Sequence, residues 1–247
     1  MLFSQAIFVC SLIYLAYGLQ LKVSYEYKYS FKGPHLIQSN NSIPFWDYGG
    51  DAVAGDDYIR LTPYRRSKRG WIWTTLKTNF NQWSVECVFK VSGRGRSGAD
   101  GLAMWFTEEK GQEGPVFGNQ DMWRGLGVFM DTFDNDGQQN NPYIMAMVND
   151  GTQQYDHQND GSQQQLGGCL RDFRNKPYPV RVKIEYKNKS LTVFVNNGLT
   201  NNKDDFELCL RQENVNLPDS GYFGVSAATG RLADEHRVLA FLTHSLL

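Results

Sequence analysis

The residues best able to do chemistry lie in Asp131-Thr-Phe-Asp-Asn-Asp-Gly-Gln-Gln-Asn-Asn141. Four of its first six side chains offer carboxylate or amide oxygen, and three are carboxylates. Hard cations such as Ca²⁺ take six to eight oxygens, backbone carbonyls among them. The competing reading is an Asx-rich turn with solvated carboxylates. An EF-hand is excluded: with Gly137 at the sixth loop position, the first is Thr132 and the twelfth is Tyr143, not Glu. A second loop, Tyr155-Asp-His-Gln-Asn-Asp-Gly161, adds two Asp, an Asn and a His. Of the four His in the chain, His157 stands out, between acidic neighbours and three residues before Asp160. The third segment is Gly93-Arg-Gly-Arg-Ser-Gly-Ala-Asp-Gly101. It is followed by a strand pattern rather than a helix, which rules out a phosphate-cradling loop. Asp100 there sits at a loop–strand junction, where one carboxylate can orient a polar ligand. The fourth, Ala227-Ala-Thr-Gly-Arg-Leu-Ala-Asp234, carries a Gly that lets backbone approach a ligand closely.

Strands must position these loops. Val180-Arg-Val-Lys-Ile-Glu-Tyr186 alternates strictly, with Val180, Val182, Ile184 and Tyr186 on one face. Lys187–Ser190 turns the chain and Leu191–Val195 returns, so 180–195 reads as a hairpin. Further strand runs are Tyr25–Phe31, Trp83–Val91, Leu102–Phe106, Gly125–Phe133, Tyr222–Ala227 and Val238–Leu246, separated by Gly, Asn, Asp and Pro clusters. No amphipathic helix longer than two turns is visible. Many strands in one chain of this length point to an all-β sandwich, a single domain from residue 19 to 247.

Composition narrows the function classes. Twenty-five basic residues against 26 acidic ones leave a formal net charge of −1. Neither nucleic acid nor an anionic membrane is expected as the main partner. Residues 1–18 read as a secretory signal peptide, an almost uncharged stretch with Ala16 and Gly18 placed for cleavage after Gly18. No apolar run of about 18 residues follows it, so no membrane span is expected in the rest of the chain. Cys10 leaves with the signal, and Cys87 falls in an alternating strand. Cys169 and Cys209 lie in loop-like sequence. Pairing them would close a loop of about 40 residues, worth on the order of 3–4 kcal/mol in the chain-entropy model, but sequence alone does not fix the pairing. Sequons at Asn40 and Asn188 are glycosylation candidates in the same oxidising compartment.

Taken together, Gly98–Gly101, Asp131–Asn141, Asp156-His-Gln-Asn-Asp160 and Ser226–Gly230 resemble the L-type (legume-lectin-like) lectins of the animal secretory pathway. The nearest group is the mannose-binding cargo receptors of the ER–Golgi intermediate compartment. Tyr27–Pro34, Gly114-Pro-Val-Phe-Gly118 and Arg171–Pro179 carry the same resemblance, which spans about residues 25 to 245. It implies a concanavalin-like jelly-roll sandwich that binds high-mannose N-glycans with Ca²⁺. By position, Asp131, the Phe133 carbonyl, Asn135 and Asp160 are implied calcium ligands. A second ion is implied around Asp134, Asp136, Asn140 and Asn141. The implied sugar contacts are Ser67, Asp100, Asn135, His157 and the loop Gly230, Arg231, Leu232. The resemblance also implies a cis Ala99–Asp100 peptide and a Cys169–Cys209 disulfide. Its implied partners are high-mannose glycoprotein cargo and a small EF-hand co-receptor, in the lumen of the ER and intermediate compartment, or outside the cell if this short form is complete.

The residue chemistry fits independently. Sugar hydroxyls both donate and accept; Asp100 only accepts, the Asn135 amide does both, and backbone N–H groups near Gly230 donate. A glycoside hydrolase of the same sandwich would need two carboxylic acids flanking the scissile bond. The expected Glu-x-Asp-x-x-Glu strand is missing, since Phe129-Met-Asp-Thr-Phe-Asp134 has no Glu. No catalysis is therefore expected; a metal-independent structural or chaperone-like sandwich is the other alternative. Two departures stand out. Arg231 occupies a position where the nearest group has Gly, and the sequence ends at Leu247 without the family's usual stalk, membrane helix and export signals.

Overall fold

The computed structural model describes residues 22–34 and 36–246. The expected signal peptide, 1–18, lies outside the described residues. Among those described, the strands form two large antiparallel sheets. One has nine strands, in the order Glu207–Gln212, Ser190–Asn196, Val180–Lys187, Trp83–Ser92, Glu235–Leu246, Ile59–Thr62, Val53–Ala54, with Val23–Tyr25 and Phe31–Lys32 added to Glu235–Leu246. The other has seven, in the order Gly167–Leu170, Tyr143–Asp150, Arg124–Asp131, Gly101–Thr107, Tyr222–Ala228, Arg69–Thr74, Trp46–Gly50. This is the expected all-β two-sheet sandwich.

Period-2 alternation decides which face each residue takes. Along Arg124–Asp131, Leu126, Val128 and Met130 enter the core between the sheets. Phe129 points to the outer face of the seven-stranded sheet and joins a second apolar cluster with Trp105, Trp123, Phe117 and Tyr155. Asp131, two residues on, shares that outer face. Asp131 pairs with Gly101, and Gly101 pairs with Ala228. One end of three adjacent strands thus brings Asp100, Asp131 and the loop after Ala228 together.

Three details differ from the sequence reading. Tyr25–Phe31 is not one strand. A 3₁₀ turn interrupts it, in which the Tyr29 N–H donates to the Glu26 carbonyl at 3.0 Å and the Tyr29 side chain is buried. Pairing with Glu235–Leu246 resumes beyond the turn. The strand expected at 125–133 ends at Asp131, where the Asp131 carboxylate turns the chain by accepting from the Phe133 N–H at 2.9 Å. Cys169 and Cys209 lie on strands, not loops: each is on the outermost strand of a different sheet. Their disulfide, with Cα atoms 5.2 Å apart, ties the two sheets together at that side.

Candidate functional site

At the strand ends lies a cleft of about 200 Å³ lined by Asp100, Asp131, Phe133, Asn135, His157, Asp160 and Arg231, with Pro115, Phe117 and Tyr155. Of the expected sugar contacts and first-ion ligands, all but Ser67, Gly230 and Leu232 line this cleft. Of the second-ion set, Asp136, Asn140 and Asn141 line a neighbouring pocket instead, and Asp134 lines neither. Ser67 supports the rim: its N–H donates to the Gly230 carbonyl at 3.2 Å. Gly230 stands directly against Asp100, and a Cβ there would lie 2.6 Å from Asp100 Oδ1. Thr229 Oγ1 donates to the Arg65 carbonyl and accepts from the Lys68 N–H, which locks the two loops to each other.

Asp100 is held by its backbone. Its N–H donates to the Ala228 carbonyl at 2.9 Å and its carbonyl accepts from Thr132 N–H at 3.0 Å, across a cis Ala99–Asp100 peptide. Behind it, the Arg174–Asp234 ion pair is almost fully buried, with Arg174 Nη2 2.8 Å from Asp234 Oδ1. Arg174 also donates to the Gly95 carbonyl, and the Asp234 N–H donates to the Ala99 carbonyl. One buried pair thus fixes both the loop before Asp100 and the loop after Gly230.

Phe117 and Tyr155 escaped the sequence reading because aromatics read as core. Both are core-like, yet they wall the cleft. Phe117 stacks on Phe129 with ring centroids 5.1 Å apart. Its carbonyl accepts from Ser226 Oγ at 2.7 Å. The Gly114–Gly118 motif was the available signal. Asp121 Oδ1 accepts from Tyr155 N–H at 2.9 Å and anchors the second loop. His157 sits exposed at the rim, one ring face packed edge-on against Tyr155 at 4.8 Å. Burial of that face lowers the His157 pKa below the usual 6.5, against the raising effect of Asp121 and Asp156.

The carboxylates are crowded. Burial holds the Asp131 carboxyl well above its ordinary range; the Phe133 N–H opposes this, and Asp160, Asp100 and Asp134 add to it. Burial likewise pushes Asp160 up to about 6, against the N–H groups of Asn135 and Asp136 and together with the charges of Asp136 and Asp134. Burial also raises Asp100, while Arg69 lowers it. Among the described residues, one group of acidic side chains is close enough to share a cation: carboxylate oxygens of Asp134, Asp136 and Asp160 lie within 4.8 Å of one another. Asp160 therefore stands between the two ligand sets expected from sequence. A neighbouring pocket is lined by Asp131, Asp136, Asn140, Asn141 and Asp160. In it, Asp136 Oδ2 and Asn140 Oδ1 are buried without a hydrogen-bond partner. Asn141 Nδ2 donates to the Phe133 carbonyl at 2.7 Å and steadies that oxygen. Orphaned acceptors with no donor among them are what a hard cation satisfies, so the residues present fit calcium.

The sequence profile of the legume-like lectin family matches residues 22–247. The chain belongs to that family. Over 222 residues the lectin is 58% identical to rat Protein ERGIC-53, covering 90% of this chain and 43% of the rat protein. The human protein of the same name is 57% identical over the same length. The chain thus spans less than half the length of these curated relatives. The exoplasmic/lumenal domain of VIP36, solved in its Ca²⁺-bound form, is similar to this lectin with a TM-score of 0.83 and 36% identity, covering 90% of this chain and 92% of that one. The carbohydrate recognition domain of Emp47p, at 20% identity and a TM-score of 0.73, shares the fold.

Proposed function

We propose that this lectin binds high-mannose N-glycans of glycoproteins in a calcium-dependent manner, in the lumen of the early secretory pathway, and so assists cargo transport from ER to Golgi. The observation that carries this is the cleft itself, where a proposed sugar-facing set (Asp100, Asn135, His157, Arg231) lines one cavity with the buried carboxylate Asp131 and the half-buried Asp160. The VIP36 domain has been solved bound to Ca²⁺/Man2 and to Ca²⁺/Man3GlcNAc, which supports the same ligand class here.

Asp131, the Phe133 carbonyl, Asn135 and Asp160 would hold one ion, and Asp134, Asp136, Asn140 and Asn141 a second. Bound calcium supplies positive charge to this acidic group, where three or more carboxylates otherwise repel one another. The chain's own residues then recognise the sugar. The Asp100 carboxylate accepts from vicinal hydroxyls. The Asn135 amide accepts and donates, and backbone N–H groups of the Gly230–Leu232 loop donate. His157 and Ser67 complete the polar rim. Phe117 and Tyr155 offer apolar ring faces to the sugar's C–H surface. Membership of a lectin family and the lack of a paired Glu signature both favour binding without catalysis. A small EF-hand co-receptor joins the proposed partners on family grounds. A glycan array run with calcium and again with chelator tests the reading: selective, chelator-sensitive retention of mannose-rich glycans supports it. Released sugar would favour a hydrolase, and chelator-insensitive partner binding a structural sandwich.

A further inference from the structure

The formal net charge is near zero, yet charge is sharply segregated around the cleft. Acidic residues 131–136 and 156–160 occupy one flank. On the other, four of the six residues at 64–69 are basic, Gly93–Gly98 adds two arginines, and the loop after Thr229 adds Arg231. Arg65, Arg66, Arg69, Arg94, Arg96 and Arg231 are all exposed. None of the six is in an ion pair among the described residues. The three loops form one rim, because Ser67 and Thr229 join the first to the third and Arg94 lies 5.7 Å from the Tyr64 ring. Arg69 already feels the nearby Asp100 carboxylate; the other five guanidinium groups on the rim repel one another, a cost to the folded state that an anionic partner would remove.

We infer that this arginine rim is a second recognition surface, which takes an acidic stretch of the polypeptide that carries the glycan. The inference rests on the glycan reading of the neighbouring cleft. A glycan seated there tethers its own polypeptide to the neighbourhood of the rim, which raises that polypeptide's effective concentration there, so the two contacts would reinforce each other. Guanidinium forks suit carboxylates, which they can bind in a bidentate manner. Six arginines, five on three loops and Arg69 at the start of the strand Arg69–Thr74, cover more surface than one phosphate or sulfate group needs. A bilayer fits less well: lying on the rim it would cover the cleft mouth and press anionic headgroups on the acidic flank.

The test uses synthetic peptides bearing one high-mannose glycan and an acidic, neutral or Lys-rich flank. They are titrated at low and high salt beside the free oligosaccharide, the unglycosylated acidic peptide and phosphatidylserine vesicles. At low salt the acidic glycopeptide should bind roughly tenfold tighter than the neutral one, the sum of a few exposed pairs. That gain should vanish near 1 M salt, where the Debye length is about 3 Å. The variant Arg65→Gln/Arg66→Gln/Arg94→Gln/Arg96→Gln should lose the gain and bind free oligosaccharide like wild type. Arg65→Glu/Arg66→Glu should instead prefer the Lys-rich flank. Equal affinity for all three glycopeptides at low salt overturns the inference, and so does vesicle binding without any peptide preference. If the free oligosaccharide fails to bind, the glycan reading falls first. The acidic peptide alone then still reads the rim: arginine-dependent binding retains a polypeptide surface, and no binding removes it.

Discussion

Gly230→Ala separates the fold from the site. A Cβ at 230 would lie 2.6 Å from Asp100 Oδ1 and 3.3 Å from both Cγ and Oδ2, whereas ordinary contact begins at 3.4 Å. Gly230 is not among the residues at positive φ, so alanine suits its backbone. The strain falls on the free end of a side chain, which can swing aside, and the expected loss of stability is small. The Asp100 backbone is pinned on both sides, so only its carboxylate can yield, by about 0.8 Å. A hydrogen bond of about 2.8 Å stretched that far passes the useful limit of about 3.5 Å. Hydrogen bonds to a charged group are worth roughly 1.5–3 kcal/mol, so affinity for mannose oligosaccharide should fall about 10- to 100-fold. Isothermal titration at saturating calcium measures the loss, with calcium affinity and thermal unfolding as controls. Asp100→Asn should fall by a similar factor, and the two changes should not add, because both act through one carboxylate. Gly230→Ala binding within twofold of wild type, while Asp100→Asn loses affinity, would refute the reasoning.

Three further outcomes follow from named side chains. Glycan affinity at saturating calcium should weaken with acid below the usual imidazole pKa of 6.5, since burial lowers His157, and His157→Gln should flatten that limb; an unchanged profile would leave His157 a packing residue. His236 is fully buried, its Nδ1 2.7 Å from Thr62 Oγ1, and burial pushes its pKa down to about 4. Its contribution is fully present above pH 6.5 and is lost as pH falls toward 4, by on the order of 3 kcal/mol; in calcium-saturated protein His236→Gln should remove that slope from denaturant midpoints. Arg231→Gly should change the relative affinity for short and long mannose oligomers without altering calcium affinity, and constant ratios across the series would show that Arg231 does not read the sugar.

How much the sequence reveals depends on what sets each feature. Val180–Tyr186 is legible because one face is buried and one is not. The acidic loop is legible because oxygen-rich runs carry their chemistry in composition. Cys169 and Cys209 look like loop residues because their strands are outermost and half exposed, with Leu170 and Leu208 turned toward solvent. No alternation survives there. The turn at Tyr27–Tyr29 is set by a distant contact, the Tyr29 hydroxyl donating to the Lys77 carbonyl at 2.7 Å. The place of Asp160 between two oxygen sets, and the walls made by Phe117 and Tyr155, depend on loops meeting across the sheet. Local pattern cannot show that. Nor does spacing show that Arg174 and Asp234, 60 residues apart, brace the loops that carry Asp100 and Arg231.

The most direct test of the account is a titration of mannose oligosaccharide into wild type and Asp131→Asn, each in saturating calcium and in excess chelator. Wild type should bind only with calcium, and Asp131→Asn should bind in neither condition while unfolding cooperatively like wild type. Undiminished binding by wild type in chelator, or by Asp131→Asn in either buffer, would contradict calcium-dependent glycan recognition at this cleft.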